Sequence, residues 1–528
     1  MRTSLPRTLR QLSRNATKLN IPCCRASGAR WSSTGSEDEG HRWSTPLAKQ
    51  LTEAITTTGP IPVASYMRQC LTSDLGGYYT TTAPSETDQF GAKGDFVTSP
   101  EISQIFGELI GLWVVAEWIA QGRKSEGVYL MEMGPGRGTL MDDMLRTIRN
   151  FPPFAKAIEA VYLVEASRNL RLAQHKLLCG GNPLSENGIG HESTSKHSKD
   201  LKIIWTEDIR FVPREASKTP FIIAHEFFDA LPIHVFQSVP PAPPPSQQQQ
   251  QDTIQTPTGP NPSPRRIPKT NEWRELVVSP KPPHKLKADE PEFELTMAKA
   301  ATPHSMYLPE ISPRSQALKS TDGATIEVSP ESQAYTLDFA IRIGGANPAP
   351  PIQHSPPAAT KSPHRTIPSA PKAQPFLKPH PSGATLIIDY GPASTIPANS
   401  LRGIKAHSRV SPFLSPGTTD VSADVDFLAL AEAAVNGSPG VEVHGPVSQG
   451  RFLGAMGIRE RAGQLVGRAG EVDREVVERV ESGWRRLVDL GPQGMGGLYQ
   501  VMAFVPYKPV GEGKAKRRPV GFGGDVKA

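Results

Sequence analysis

Seven residues constrain this chain more than any others. Glu132-Met133-Gly134-Pro135-Gly136-Arg137-Gly138 is a G-x-G-x-G turn between an apolar run, Val128-Tyr129-Leu130-Met131, and a helical pattern from Thr139 to Arg149. Glycines in a strand-turn-helix allow a tight turn and close approach of a ligand to the backbone. The helix start behind them offers free N–H groups. A dinucleotide enzyme prefers G-x-G-x-x-G, with its pyrophosphate on the helix end. Here the third glycine comes one position early, and Glu132 stands two residues before the first. That acid repels a pyrophosphate and attracts a cation. S-adenosylmethionine has no phosphate and carries an ammonium and a sulfonium, so Glu132, Gly134, Gly136 and Gly138 are read as its site. A plain βα turn is the competing reading, and a nicotinamide enzyme is disfavoured by the same spacing and acid.

The segments around the turn set the fold class. Val161–Val164, Leu201–Trp205 and Phe221–Ala224 are short apolar runs, and helical spacing separates the first two from the turn and from each other. Strands alternating with helices imply βαβ units and a largely parallel sheet covered on both faces. The expectation is an α/β chain: a Rossmann-like, doubly wound methyltransferase core with a helical N-terminal extension and an inserted accessory region. Glu165 ends the second strand, 27 residues after Gly138, where an acid can accept both ribose hydroxyls. Asp208, after the third strand, is a candidate acceptor for an adenine amino group or, equally, a helix cap. Before the core, Ser99 suits an N-cap and Pro100 a first helical turn. They lead into an apolar stripe, Ile102, Ile105, Phe106, Leu109, Ile110 and Trp113, that reads as packing.

The fourth strand runs into His225-Glu226-Phe227-Phe228-Asp229-Ala230-Leu231-Pro232. Ligands of doubly wound sheets bind outside the carboxyl ends of the strands, so this segment faces the donor methyl. Two carboxylates can fix a guanidinium by paired hydrogen bonds, and aromatic faces can stack on it. Glu226 and Asp229 are therefore the candidate catalytic residues, orienting an arginine nitrogen. In the blander reading the two phenylalanines are core and one acid matters. His225 is the weaker base, since it can simply satisfy a backbone carbonyl.

The chain ends carry a different signal. Arg2, Arg7, Arg10, Arg14, Lys18, Arg25 and Arg30 precede the first acid, Glu37, beside an apolar stripe of Leu5, Leu9 and Leu12. That is transit-peptide composition, with Arg30-Trp31-Ser32-Ser33 as a cleavage context; a disordered basic tail is the alternative. Setting those seven aside from the 58 Lys and Arg leaves 51 against 52 Asp and Glu. The formal +6 charge thus gives no support to a nucleic-acid partner. No apolar run reaches the length of a membrane span, so no stable membrane insertion is expected. Cys70 and Cys179 are isolated, with no CxxC and no His spacing suited to zinc, and no metal is called. The 53 prolines concentrate in stretches expected to be disordered. The expected layout is a leader (1–33), an N-terminal helical region (45–127) and a methyltransferase core (128–238 with 384–506). An accessory region (271–345) lies between Pro-rich inserts (239–270, 346–383), and a tail (507–528) closes the chain.

Several of these segments together resemble one family. The stretch from Gly94 to Gln104, the Glu132–Leu140 turn, Ala224–Pro232, Ile388-Asp389-Tyr390-Gly391, Gly417–Phe427 and Gln449–Leu453 are similar to the MidA-like mitochondrial protein arginine methyltransferases. The resemblance spans roughly Leu47 to Pro506 without the Pro-rich inserts; Met133, where leucine is common, is a conservative departure. It implies S-adenosyl-L-methionine as donor, Gly134, Gly136 and Gly138 in cofactor binding, and Ser99, Pro100 and Glu101 bordering the same pocket. It further implies symmetric dimethylation of an arginine on the 49-kDa-type subunit of complex I, in the mitochondrial matrix, during assembly. A non-catalytic assembly chaperone on the same fold is the alternative; intact glycines and both acids favour the enzyme.

Overall fold

The computed structural model describes residues 43–80, 97–241, 253–256, 259–262, 270–282, 290–347, 375–469, 473–491, 494–509 and 517–523. The expected leader lies outside them, as do residues 242–252 and 348–374 of the two inserts.

Nine strands form the central sheet: β1 Val128–Met133, β2 Ile158–Val164, β3 Ser185–Asn187, β4 Gly190–Thr194, β5 Lys202–Thr206, β6 Thr219–His225, β7 Ala384–Tyr390, β8 Val441–Ser448 and β9 Tyr499–Pro506. Their spatial order is β8-β9-β7-β6-β1-β2-β5-β4-β3. The five strands from β7 to β5 run parallel, and antiparallel strands extend both edges. The mixed α/β fold expected from the alternation is thus present, with β8 and the β3–β4 hairpin as elements the short polar sequence did not announce.

Every residue of β1 is buried. Successive side chains point to opposite faces of a strand, and β1 divides accordingly. Val128 and Leu130 join one core with the helices Gln104–Ala120 and Thr139–Ile148. Tyr129, Met131 and Met133 join another with Phe339, Ala340 and Ile343 of the helix Pro330–Gly344. Full burial of each such side chain contributes roughly 1.5–3 kcal/mol. On the first face, a Cβ on Gly107 would lie 2.5 Å from Cβ of Asp143, so the two helices cross too closely for any side chain there.

The Pro330–Gly344 helix lies in the stretch expected to be accessory, yet it serves the core. Parallel strands β6 and β7 need a crossover between them, and this helix covers the sheet as that crossover. Four strands between His234 and Val328 form a separate antiparallel sheet in which Glu272–Pro280 pairs with His234–Val239 and Phe293–Met297, and His234–Val239 pairs with Thr325–Val328. Ile61–Pro62, which reads as a break between helices, adds to this sheet opposite Val277 and Val278. The helices Pro46–Thr58 and Val63–Thr72 consequently pack on the inserted sheet through Leu51, Tyr66 and Met67 against Val235, Val278 and Phe293. The 45–127 stretch is therefore shared between two cores.

Within the first insert Thr253–Thr256 pairs antiparallel with Gly259–Pro262. The end of the second is anchored, in place of the disorder expected there: the Lys378 ammonium donates to the carbonyls of Lys218, Arg342 and Ser382 at 2.7–3.0 Å. Three acceptors satisfy a buried ammonium, which explains why a Pro-rich segment is held at this point. Among the described residues no helix is long and apolar enough to cross a membrane.

Candidate active site

The sheet reverses its direction of growth between β1 and β6, the position at which doubly wound sheets open a crevice at their carboxyl ends. A cavity of about 890 Å³ lies there, lined on one side by Glu132, Gly134, Gly136 and Glu165 and on the other by Glu226, Asp229, Tyr390 and Arg402.

The glycine turn is left-handed at Gly134 (φ +57°) and Gly136 (φ +54°), a region that costs L-residues with a Cβ. A Cβ on Gly134 would also stand 3.1 Å from Cδ2 of Phe227, so this glycine lets the turn approach the segment after β6. Gly138 (φ +85°) forms the helix N-cap; it does not line the cavity. Gln174 ties the turn to the next strand: its amide donates to Gly136 O at 2.7 Å and to Glu165 Oε2 at 3.3 Å, and its oxygen accepts from the Trp205 indole at 3.0 Å.

Two buried carboxyls face this turn. Burial, with Glu165 nearby, pushes Glu132 up to about 8, and its Oε2 has no hydrogen-bond partner. Burial raises Glu165 to about 7, although the Ser167 amide donates to it at 2.8 Å. An orphaned buried carboxylate oxygen costs free energy until a donor or cation meets it. A ligand presenting an ammonium and a ribose satisfies both acids, so the residues present fit S-adenosylmethionine.

Across the cavity, Glu226 directly follows β6 with a left-handed backbone (φ +50°), strain that concentrates at functional sites. Its Oε1 accepts from the Tyr499 hydroxyl at 2.8 Å, and the Tyr499 and Tyr390 hydroxyls hydrogen-bond each other. Burial and then the Asp229 charge push Glu226 up to about 8. Burial also raises Asp229, against the opposing pull of the Arg402 guanidinium. Arg402 pairs with Asp424 at 2.6 Å and lies 5.3 Å over the Tyr390 ring. The segment is held by Asp389 at the end of β7, whose carboxylate accepts the amides of Phe227 and Phe228 at 3.1 and 2.8 Å. His225 is neutral, since burial lowers it to about 3. It stacks parallel to Tyr499 with ring centroids 6.3 Å apart.

Besides Gly138, two residues sit differently from the sequence expectation. Asp208 caps the short helix Ile209–Phe211 and grips Arg210 through both oxygens, Oδ1 at 3.0 Å and Oδ2 at 2.7 Å. It is absent from the cavity wall, where its neighbour Glu207 stands, paired with Arg171 at 3.0 Å. The local capping bond wins because Asp208 occupies the N-cap position itself. Ser99 is the first residue of the helix Ser99–Ile102, and Thr98 is its N-cap. The expected continuous helix breaks at Ser103, which caps Gln104–Ala120. Ser99 is buried behind the wall, while Pro100 and Glu101 line the cavity. Glu101 meets Arg137 of the glycine turn at 3.8 Å. Tyr499 and Arg402 carried no sequence signal, and Tyr390 stood out only through the Ile388-Asp389-Tyr390-Gly391 motif.

A glycine turn at the switch point, two buried acids beside it and a parallel-centred sheet define a methyltransferase of the S-adenosylmethionine-dependent class. The family described as "Putative S-adenosyl-L-methionine-dependent methyltransferase" matches residues 109–447. The chain belongs to this MidA-like family, and its cofactor is S-adenosyl-L-methionine. It is 32% identical to the rat protein "Protein arginine methyltransferase NDUFAF7, mitochondrial" over 90% of this chain and 88% of that one. To the mouse protein of the same name it is 31% identical, over 92% and 90%. A COG1565-superfamily protein of Burkholderia thailandensis, crystallised with S-adenosyl-homocysteine, shares the fold with a TM-score of 0.58 at 20% identity. That match covers 88% of this chain and 92% of the other.

Proposed function

We propose that this chain is a mitochondrial protein arginine methyltransferase acting in the matrix. In this reading it transfers methyl groups from S-adenosylmethionine to an arginine of the 49-kDa-type subunit of complex I, gives the symmetric dimethyl product, and is needed for assembly of that complex. The observation that carries the reading is the pair Glu226 and Asp229, both lining the cavity that also holds the glycine turn. The bound cofactor supplies an electrophilic methyl. The protein's own work is to seat a guanidinium beside it: carboxylate oxygens accept its N–H groups, which fixes the plane and leaves one nitrogen free to react. A carboxyl pushed up to about 8 is also suited to accept the proton that nitrogen loses. Glu132 and Glu165 hold the cofactor, with Pro100 and Glu101 bordering it. The names of the rat and mouse relatives and the acid-free basic N-terminus support the substrate class and the compartment.

The test is mass spectrometry of the complex I subunit from cells with and without this protein. The reading requires a symmetric dimethylarginine that disappears with the protein. An unchanged subunit refutes it, and assembly that survives a cofactor-binding variant leaves the chaperone function in its place.

A further inference from the structure

Away from the cavity, the inserted sheet gathers three metal-ligating side chains that are far apart in the chain. His234 opens the strand His234–Val239, Glu275 lies on the neighbouring strand Glu272–Pro280, and His304 sits in the first turn of the helix Pro303–Ile311. Nδ1 of His234 is 2.8 Å from Oε1 of Glu275, and Nδ1 of His304 is 3.6 Å from its Oε2. The two imidazole centroids are 4.3 Å apart. His234 and Glu275 are buried; the His304 side chain is 47% exposed.

We propose that His234, Glu275 and His304 form a binding site for a divalent zinc ion. Two imidazoles and one carboxylate are a recurrent three-ligand zinc set that leaves one position to water. One ligand atom from each residue lies within 4.8 Å of the others. Ligands sharing a tetrahedral zinc stand about 3.4 Å apart, as follows from metal–ligand lengths of about 2.0–2.1 Å. The exposed His304 is the side chain free to close that gap. The Thr302 hydroxyl, which donates to Oε2 of Glu275 at 2.5 Å, would orient the carboxylate, as partners behind metal ligands do. Without an ion the Glu275 carboxylate is hydrogen-bonded to the His234 imidazole and the Thr302 hydroxyl, in a lock that leaves His304 at 3.6 Å.

The site lies just beyond the segment that carries the candidate acceptor residues. Pro232 lines the cavity, and His234 follows two residues later. An ion here ties the inserted strands to the Pro303–Ile311 helix and fixes the far end of that segment. The proposed role is to brace the insert, and it stands or falls independently of the proposed substrate.

The test uses the full-length protein, stripped with chelator and titrated with zinc chloride by calorimetry, and with cobalt chloride followed by visible absorption. One zinc per chain is expected, with the absorption bands of a tetrahedral cobalt centre and a higher melting temperature in zinc. His304→Ala, a change at an exposed position, should keep the fold and weaken zinc binding by at least about tenfold. Glu275→Gln should abolish it. No zinc bound by the unaltered chain, or equal affinity in His304→Ala, overturns the site and leaves only the hydrogen-bonded lock.

Discussion

The Tyr499 hydroxyl donates to Oε1 of Glu226 at 2.8 Å across 273 residues of sequence. The ninth strand of the central sheet thereby holds the carboxylate that follows the sixth. Because the hydrogen bond favours the charged form of Glu226 and opposes burial, its loss must move Glu226 further up. Activity that needs the carboxylate should rise with pH toward about 8. In Tyr499→Phe the rising limb of kcat/KM, which reports the free enzyme, should be displaced to higher pH. Glu226→Gln should lower kcat by about 10²–10⁴-fold with cofactor affinity nearly intact. A Tyr499→Phe profile that overlays the parent would rule out this link.

Glu132, Glu165 and Glu226 are all raised in the folded protein, to about 8, 7 and 8. A raised carboxyl binds its proton more tightly folded than unfolded. The stability it contributes is full below the unfolded value and is lost as pH climbs through the folded one. The melting temperature of the cofactor-free protein should therefore fall between about pH 5 and 8. Glu132→Gln, which removes a buried ionisable group whose Oε2 lacks a partner, should flatten that fall. It should also weaken S-adenosylmethionine by about 10–100-fold, the worth of one charge-assisted hydrogen bond. Thermal scans across pH and calorimetry at pH 8 check both.

At Gly136 the backbone is left-handed, φ +54°, where a β-branched residue is an outlier. Gly136→Val should abolish cofactor binding while far-UV circular dichroism keeps the parent helix content. Isothermal titration should then show S-adenosylmethionine binding to the parent alone, and NADH binding to neither protein. Binding of NADH in place of S-adenosylmethionine would contradict the cofactor assignment.

Asp389 accepts two amides of the segment after β6 and the Tyr390 amide at 2.8 Å. Asp389→Ala strands those buried donors and should destabilise the fold by about 2–5 kcal/mol. Denaturant unfolding measures it, and a loss below about 1 kcal/mol would mean that water replaces the carboxylate.

Asp208 caps the helix Ile209–Phe211 and pairs with Arg210. Asp208→Ala should cost about 1 kcal/mol of stability and leave cofactor affinity unchanged. A clear loss of affinity would return Asp208 to the adenine site.

The legible part of the site is the part built by neighbours in sequence. Glu132 and Glu165 end recognisable strands, so the pleat and the turn carry them to the cavity without any distant partner. Glu226 and Asp229 were legible from their place just after the β6 run, although Asp389 and Tyr499, distant in sequence, hold that segment. Asp208 shows the limit of that logic: the end of β5 was read correctly, but a capping bond to the Arg210 amide decided where the side chain points. Tyr390 and Tyr499 belong to β7 and β9, adjacent in the sheet yet separated by more than a hundred residues. No periodicity reports that pairing. Ile61–Pro62 became a strand because the edge of Glu272–Pro280 offered it partners, against its own reading as a helix break.

What the residues determine by themselves is local: left-handed glycines at 134 and 136, apolar runs of strand length, and an acid placed where a cation is wanted. These follow from steric limits on φ and from side-chain periodicity, which act within a few residues. What only the tertiary structure decided is which distant groups share a desolvated space. Tyr499 against Glu226, Arg402 against Asp424 and Tyr390, and His304 beside Glu275 exist because long connections close over the sheet. Burial then sets the protonation of each acid, a quantity that depends on everything packed around it.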